Sequence, residues 1–363
     1  MNELQALIAL LSVDGVGPRR CARLLSKFYT AEGVLHASYD DLLHVEDIGE
    51  NTAKSILSAR NYFSDAEKIL EAVEKRGYDI ITYYSPEYPP PLKEIADAPI
   101  LLYRTGPLRP DWTKSIAIVG SRLATEYGKK VAYQLAEEFS ASGWAVVSGM
   151  AVGIDGAAHR GALAGLVGGT AGVLGCGLDV EYPPQHRTLF AELREQGLLL
   201  SEYPPAVQPD ARFFPQRNRI ISGITRGTIV VEAREKSGAL LTADSALEQN
   251  RDLFAVPGMI TAPMSRGPHR LIQNGAKLIT CASDVLNEYD QALRAKPQPL
   301  VHRGELTGLE AVLYQRLEGS ALSADFLAER SGAGIGEVLA ALTAMQLKGL
   351  VVQSGGEYHC VGR

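Results

Sequence analysis

The chain has 363 residues, of which 46% are hydrophobic and 21% charged, and its formal net charge is −6. These values describe a globular protein with room for two or three domains. No apolar stretch approaches the roughly 20 residues that span a bilayer, and the N-terminus lacks the basic segment of a signal peptide. The four cysteines are scattered without paired spacing, which argues against a disulfide framework or a zinc site. We therefore expect a cytoplasmic protein that does not interact with a membrane.

The acidic charge is concentrated at the two ends of the chain. Residues 1–75 contain 8 basic and 12 acidic residues, and residues 300–363 contain 5 basic and 7 acidic residues. The middle of the chain is consequently neutral. A polyanion would therefore have to bind at a local basic patch, because the overall charge does not attract it.

Residues 1–75 are predicted to form short helices, with two similar stretches at 10–25 and 42–56. Each stretch has the helix-hairpin-helix pattern, in which backbone N–H groups of a glycine-containing turn can hold a DNA phosphate. The first copy suits that role, because it contains Gly15, Gly17, Arg19, Arg20 and Arg23. The second copy does not, because it contains Gly49 with the acidic residues Glu46, Asp47 and Glu50. A helical scaffold without DNA contacts explains the pattern equally well.

Residues 76–110 are rich in proline and tyrosine and are predicted to pack on the following domain, with a short strand at 100–103. From residue 115 to residue 290, short apolar runs alternate with amphipathic helices. The predicted strands are residues 116–119, 145–147, 171–174, 198–202, 228–232, 253–256 and 277–280. This alternation indicates an α/β fold, a Rossmann-like doubly wound parallel sheet that binds ligands at the carboxyl ends of its strands.

The C-terminal region is predicted to be a winged helix. Residues 296–299 form a linker, three helices follow, and a hairpin turns at Gly355 and Gly356. Winged helices often bind duplex DNA, but this one is net acidic and its third helix offers few groups for a DNA groove. A protein-contact or structural role is therefore favoured. The predicted domains are residues 1–75, 76–295 and 300–363.

Two junctions between strand and turn predict a binding crevice in the central domain. One apolar run ends in Gly120, Ser121 and Arg122, and the next ends in Ser148 and Gly149. Each junction opens a helix, whose first N–H groups lack partners and whose dipole is positive at that end. We therefore predict an anion-binding crevice, in which the planar guanidinium of Arg122 suits phosphate.

A second unusual stretch runs from Arg212 to Arg226 and contains four arginines and no acidic residue. Arg217 and Arg219 flank Asn218 in the first turn of a predicted helix. Cations at this position oppose the helix dipole, so an anionic partner would explain them better than helix stability does.

The residues around these arginines extend the predicted site. Phe213 and Phe214 are suited to stack on the bases of a single strand. The alternative for any one residue is a core phenylalanine, or an arginine paired with an acid such as Glu202 or Glu232. Further members of the predicted anion site are Ser237 and Gly238, which open another helix, and Arg187, which extends the basic track.

Other kinds of site are disfavoured. The first turn lacks the glycine pattern of a dinucleotide site, and no Walker A loop is present. Ser148, Asp155 and His159 suggest a catalytic triad, but no G-x-S-x-G elbow surrounds Ser148. Asp155 and His159 are four residues apart on one helix, where a stabilising pair is the ordinary interpretation. No two histidines have metal-ligand spacing. We predict no catalytic residue, no metal and no cofactor.

Several motifs together resemble the DNA processing protein A family, also called DprA/Smf. These motifs are residues 120–122, 148–159, 201–204, 214–221, 231–233, 237–238 and 267–278. The resemblance covers the whole central domain, and the flanking domains fit it. It implies a DNA-binding recombination mediator and not an enzyme. Such a protein binds and protects incoming single-stranded DNA in natural transformation, dimerises, and loads the RecA recombinase onto the strand.

The resemblance also implies roles for individual residues. Gly120, Ser121 and Arg122 are expected to hold a backbone phosphate, with Phe214 near the bases. The same pocket is expected to include Arg217, Asn218 and Arg219. Arg212 stands near the position where relatives can carry a lysine. The matching self-association surface contains His269, Ile272 and Leu278.

The alternative function is a nucleotide-binding enzyme of the Rossmann-like phosphoribohydrolase type, which the central domain resembles distantly. Those enzymes carry a catalytic acid in a glycine-rich PGGxGT-type turn. Residues 232–239 of this chain have neither the glycine pair nor that turn. Release of a free base from a nucleoside monophosphate would favour the enzyme.

Overall fold

The computed structural model of the chain describes residues 2–295, 306, 308–317, 322–347, 350–354 and 356–360. The chain forms two compact units, residues 1–282 and 283–363. The predicted linker at 296–299 and Gly355 of the predicted hairpin turn lie outside the described residues. In the described ranges, no helix is long and apolar enough to cross a membrane.

The first unit begins with short helices. They are α1 (Glu3–Leu11), α2 (Pro18–Phe28), α3 (Ala31–His36), α4 (Tyr39–Leu43), α5 (Glu50–Leu57) and α6 (Phe63–Lys75). Gly15, between α1 and α2, has a φ of 84°, a conformation that glycine adopts without strain. Gly17 caps α2, and Pro18 occupies its first position, where the missing N–H is not needed. The predicted pair of helical hairpins is confirmed.

The rest of the first unit alternates strands and helices. The strands are β1 (Asp79–Thr82), β2 (Leu101–Thr105), β3 (Ser115–Val119), β4 (Ala145–Ser148), β5 (Thr170–Leu174), β6 (Leu198–Ser201), β7 (Gly227–Val230), β8 (Asp252–Ala255) and β9 (Lys277–Leu278). The helices are α7 (Glu126–Ala141), α8 (Ile154–Gly165), α9 (Arg187–Gln196), α10 (Phe213–Ile224), α11 (Gly238–Glu248), α12 (Arg266–Gln273) and α13 (Ala282–Ala295), the last of which crosses the division between the units. Short 3-10 turns stand at Ala59–Tyr62, Pro90–Glu94, Pro184–His186 and Pro263–Ser265.

These strands form one sheet in the order β1-β2-β6-β5-β4-β3-β7-β8-β9. Neighbouring strands are parallel throughout the run β6-β5-β4-β3-β7-β8-β9. At the other end of the sheet, β2 pairs antiparallel with β6, and β1 pairs antiparallel with β2. All residues of β3, β4, β5, β6 and β7 are buried, as expected for strands covered on both faces. The predicted doubly wound sheet is confirmed, and β1 is a strand that the sequence did not predict.

The winding direction of the sheet reverses between β3 and β7. From β3 the chain proceeds through β4, β5 and β6 on one side, and it returns to the other side of β3 as β7 and β8. Such a reversal opens a crevice at the carboxyl ends of the two neighbouring strands, which is where doubly wound sheets bind ligands.

The second unit contains α14 (Leu309–Leu317), β10 (Leu322–Ser323), α15 (Ala324–Ser331), α16 (Ile335–Leu347), β11 (Val351–Ser354) and β12 (Glu357–Cys360). Its strands form an antiparallel sheet in the order β10-β12-β11. Leu313, Leu327 and Leu342 are fully buried in its core. This arrangement confirms the predicted winged helix. Ile335 and Leu339 on α16 are exposed, so this helix presents apolar side chains to solvent.

Candidate nucleic-acid interface

An open cleft of about 680 Å³ lies at the carboxyl ends of the strands, beside the junction of β3 and β7. Its walls come from the loop after β3, the first turns of α10 and the start of α11. Eight of the residues predicted from the sequence line it, namely Gly120, Ser121, Arg122, Phe214, Arg217, Asn218, Ser237 and Gly238. The fold therefore brings together residues that are more than 100 positions apart in the chain.

Arg122 is an exposed cation of this cleft. Its guanidinium carbon lies 5.0 Å from the centroid of the Phe214 ring, a cation–π distance. Within the described part of the chain, Arg122 forms no ion pair with an acidic side chain. Its donors therefore remain available to an anion.

Phe214 is held between aromatic and backbone surfaces. Its ring centroid lies 5.8 Å from that of Tyr182. A Cβ atom added to Gly175 would stand 3.2 Å from the Phe214 ring, so this glycine lets the ring approach the backbone. Phe213 points elsewhere and stacks on Tyr203 with a centroid distance of 4.2 Å. The two neighbouring phenylalanines therefore have different environments, and only Phe214 lines the cleft.

Arg217 forms the floor of the cleft and is only 5% exposed. Its Nη1 donates to the carbonyl oxygen of Gly149 at 2.6 Å and also to that of Val173, and its Nε donates to Asn218 Oδ1 at 3.3 Å. Burial lowers the pKa of this guanidinium to about 10, so it stays charged at neutral pH. A Cβ atom on Gly149 would lie 2.7 Å from the guanidinium, so a larger residue there would displace the Arg217 side chain. Gly149 thus contributes to the site by supporting Arg217.

The buried carboxylate of Asp155 lies beneath this floor. It accepts hydrogen bonds from the backbone N–H groups of Gly149 at 3.1 Å and Ala151 at 3.3 Å. Burial raises the pKa of Asp155, and the nearby charge of Arg217 opposes that rise. Two N–H groups that the sequence suggested for an external anion are therefore already satisfied within the chain.

Donors at the start of α7 are satisfied in the same way. The carboxylate of Glu232, which follows β7, accepts from Thr125 N at 2.8 Å and from Thr125 Oγ1 at 2.6 Å. The expectation that free N–H groups bind the anion is therefore corrected for Thr125, Gly149 and Ala151. Side-chain guanidinium groups, rather than these N–H groups, supply the positive charge of the cleft.

Ser148 does not reach the cleft, which corrects its assignment. It is fully buried, and its Oγ donates to the carbonyl oxygen of Ile118 at 2.6 Å. The possible triad is also not formed. His159, on α8, does not pair with Asp155. Its Nδ1 lies 2.7 Å from Oγ1 of Thr170 on β5, so the predicted pairing of Asp155 with His159 is wrong. Thr170 Oγ1 itself donates to Val146 O, so it must accept from a protonated Nδ1 of His159.

The neutral, buried state of His159 predicts a pH-dependent stability. Burial lowers its pKa from 6.5 to about 3. The unfolded chain therefore binds a proton that the folded chain does not, and the stability is fully present above pH 6.5 and is lost as the pH falls towards 3. We expect this group to reduce the free energy of unfolding by roughly 3 kcal/mol between pH 6.5 and about pH 4. Urea unfolding of His159→Asn, which cannot titrate, should show a correspondingly weaker pH dependence. An identical pH profile would contradict the assignment.

Arg187, Arg212 and Arg219 are not among the residues that line the cleft, although Arg212 lies between the lining residues Ala211 and Phe214. Arg187 is exposed and pairs with Glu181 at 3.2 Å. Arg212 is exposed and donates from Nε and Nη2 to the carboxylate of Asp210. Each of these arginines thus has an acidic partner at the surface, and the expected contact of each with DNA stays a prediction.

Arg219 lies on the other side of α10 from Arg217. It pairs with Glu202 at 2.8 Å and with Asp97 at 3.3 Å. It lines a separate groove between the core and the N-terminal hairpin, together with Gly15 and Gly17. The prediction that Arg219 shares the pocket of Arg217 is therefore wrong, and the alternative of an ion pair with Glu202 is correct.

Two basic residues of the cleft were not singled out from the sequence. Arg234 and Lys236 follow β7, are exposed, and line the cleft together with Arg122. Neither forms an ion pair among the residues that the structure describes. Their position just beyond a strand end was the available signal. With Arg122 and Arg217 they give the described lining of the cleft four cations against the single carboxylate of Asp155.

The arginines of the first helical hairpin are largely engaged within the hairpin domain. Arg23 pairs with Asp47 and with Glu46 of the second hairpin. Arg20 Nη1 donates to Gly15 O at 2.7 Å. The acidic second hairpin thus offsets part of the positive charge of the first.

The residues expected at a self-association surface lie at the β9 end of the sheet. Leu278, in the edge strand β9, is 46% exposed. Ile272 on α12 is partly buried against the core. His269 Nε2 is hydrogen-bonded with Gly258 O at 3.0 Å. Among the described residues, no cluster of His, Cys, Asp and Glu side chains could hold a metal ion.

Comparisons with known proteins match all parts of the chain. The model of the DNA recombination-mediator protein A family matches residues 79–290, that of a SAM-like helix-hairpin-helix tandem matches residues 7–61, and that of a DprA winged helix domain matches residues 295–357. The chain is 36% identical to protein Smf of Escherichia coli over 320 residues, which cover 85% of each chain. It is 42% identical to DNA processing protein DprA of Bacillus subtilis over 232 residues, or 62% of this chain and 76% of that protein.

Solved structures agree with these matches. The structure of DprA from Streptococcus pneumoniae superposes with a TM-score of 0.66 at 36% identity, covering 79% of this chain and 99% of that one. DprA from Helicobacter pylori, whose structure is described for its single-stranded DNA binding mode, superposes with a TM-score of 0.53 at 29% identity. The superposition covers 59% of this chain and 96% of that one. On the family model and on these relatives, the chain belongs to the DprA/Smf family of DNA recombination-mediator proteins.

Proposed function

We propose that this chain binds single-stranded DNA in the cleft and acts as a recombination mediator. The observation that carries the proposal is the exposed guanidinium of Arg122. It has no acidic partner among the described residues, and it lies against Phe214 in a cleft that also contains Arg234 and Lys236. Unpaired cations beside an aromatic ring match the two chemical features of a single strand, its phosphates and its unstacked bases.

Each cleft residue has a distinct part in this mechanism. Arg122 contacts a backbone phosphate, because its planar guanidinium can donate two parallel hydrogen bonds. Phe214 stacks on a base, which contributes about 1–3 kcal/mol in comparable single-strand sites. Arg217 holds the Gly149 turn in place and adds its charge from below. Arg234 and Lys236 add further positive charge that attracts the strand to the cleft.

The experiment that tests the proposal is fluorescence anisotropy with labelled oligo-dT and a matched duplex over a series of salt concentrations. We expect tighter binding to the single strand, with an affinity that falls steeply as salt rises. Equal affinity for the duplex, or no binding by a folded protein, would contradict the proposal.

We further propose that the chain acts as a homodimer through the surface that contains His269, Ile272 and Leu278. An exposed apolar side chain in an edge strand, such as Leu278, is suited to a contact between two copies. Two linked clefts would bind one long strand more tightly than either cleft alone, because the second contact becomes intramolecular.

Leu278→Arg is expected to give monomers, because it places a charge in the proposed contact. Light scattering measures the mass, and the affinity for long strands should fall more than that for short ones. Val167→Arg is the matched control, since Val167 is 68% exposed but precedes β5, far from the β9 edge of the sheet. If the Leu278 variant remained a dimer, the interface would lie elsewhere.

Loading of RecA onto the bound strand, during natural transformation in the cytoplasm, is the last part of the proposed function. It is tested by asking whether the protein speeds RecA filament formation on single strands that are coated with a single-strand-binding protein. The same reaction with Arg122→Ala separates loading that depends on the cleft from any other stimulation.

A further inference from the structure

The start of α7 is the position at which a crevice of this type ordinarily offers a helix N-terminus to an anion. In this chain the carboxylate of Glu232 occupies that position. The two carboxylate oxygens of Glu232 accept from Thr125 N and from Thr125 Oγ1, and Thr125 is the residue that caps α7. Thr125 Oγ1 in turn accepts from Gly128 N at 3.1 Å. The carboxylate therefore stands at the positive end of the α7 dipole.

The fit between Glu232 and α7 is close. Glu232 is 5% exposed, and a Cβ atom on Gly128 would lie 2.4 Å from its carboxylate. The backbone oxygen of Glu232 also accepts from Ser121 N at 2.7 Å. In the described part of the chain, no lysine or arginine forms an ion pair with Glu232. Its charge is therefore stabilised by the threonine donors and the helix end, which are the groups that a bound phosphate would use.

We propose that Glu232 is a specificity-determining residue that blocks free phosphates and nucleotides from the α7 N-terminus. A terminal phosphate needs such a cradle for its three oxygens, and the carboxylate of Glu232 already occupies it. A phosphodiester within a strand has only two free oxygens and can be held by Arg122 alone. This inference deepens and rests on the proposed binding of single-stranded DNA, because it explains why the cleft selects the polymer over its monomers.

Glu232→Ala tests the inference, because it empties the position while Thr125 and the first turn of α7 remain. Inorganic phosphate is the probe, and thermal unfolding is measured in phosphate and in chloride at equal ionic strength. We expect 20 mM phosphate to raise the Tm of the variant by roughly 3 °C more than that of the wild type. Subtracting the wild-type response removes the general stabilisation by phosphate. In the variant, the amide resonances of Thr125 and Gly128 should shift with phosphate.

Glu232→Gln is the matched control. Glutamine removes the charge but fills the same volume, so it should not gain a response to phosphate. A gain in both variants would show that charge alone, and not occupation of the site, excludes phosphate, and would overturn the inference. A folded Glu232→Ala that ignores phosphate would overturn it as well.

If Glu232→Ala does not fold, Glu232→Ser, which retains one hydroxyl acceptor, takes its place with the same expectation. The wild-type protein gives an independent result, since phosphate should leave its Thr125 and Gly128 resonances unchanged. None of these measurements contains DNA. A failure here is therefore distinguishable from a failure of the oligo-dT experiment, which concerns the strand.

Discussion

Arg217→Ala is expected to lower the free energy of unfolding by about 3–5 kcal/mol, because it removes a buried donor to two carbonyl groups and the positive charge near the buried Asp155. The variant loses the donors to Gly149 O and Val173 O, and Asp155 loses the nearby positive charge that opposes the rise of its pKa. Urea unfolding at neutral pH measures the loss. Arg217 thus stabilises the fold in addition to adding charge to the cleft.

The pH dependence of this loss has a definite sign. Burial already raises the pKa of Asp155, and removing Arg217 raises it further. A carboxyl group with a raised pKa in the folded state destabilises the fold as the pH rises, so the loss should be larger at about pH 7 than at about pH 5. The double variant Arg217→Ala, Asp155→Asn should recover part of the stability. A single variant as stable as the wild type would show that Arg217 serves DNA binding alone.

The sequence contained enough information for the architecture. Alternating apolar runs and helical stretches predicted the doubly wound sheet, because strands buried on both faces appear as short continuous apolar segments. The glycines and prolines of the first hairpin marked its turn, since Gly15 adopts a positive φ there. The strand β1 was missed because it is an edge strand, and its four residues begin with an exposed aspartate.

The assignment of Arg217 and Arg219 to one pocket was wrong because of the geometry of the α-helix. Residues two positions apart in an α-helix point to nearly opposite sides. The residues of α10 that line the cleft include Phe214, Arg217, Asn218 and Ile221, which follow the spacing i, i+3, i+4, i+7. Applied strictly to the sequence, that period places Arg219 on the opposite face of the helix from Arg217.

The sequence could not predict in the same way that an acidic side chain already accepts hydrogen bonds at the start of α7. Glu232 and Thr125 are 107 positions apart and meet only because β3 and β7 are neighbours in the sheet. The order of strands in a doubly wound sheet is not encoded in the local pattern of either strand. The sequence therefore located the crevice correctly but could not show which of its donors were already bonded.

Arg122→Ala is expected to weaken binding of single-stranded DNA by roughly 10- to 100-fold. This loss corresponds to the free energy of about 1.5–3 kcal/mol that a hydrogen bond to a charged group contributes. Because the contact is to the backbone, the loss should be similar for all sequences. The slope of log affinity against log salt should fall by about 0.7, which corresponds to one phosphate contact on a single strand. Stability should change by less than about 0.5 kcal/mol, since the side chain is exposed and outside the core.

Two surface arginines provide matched controls for this variant. Arg187→Ala and Arg212→Ala remove the same charge, but both side chains pair with acids and neither is among the lining residues of the cleft, so each should change the affinity by less than about twofold. Arg122→Lys should keep the salt slope and lose part of the affinity, because lysine retains the charge without the bidentate geometry. Equal losses in all three alanine variants would mean that the strand responds to the general charge of the surface. A loss confined to Arg122 assigns the phosphate contact to the cleft beside Phe214.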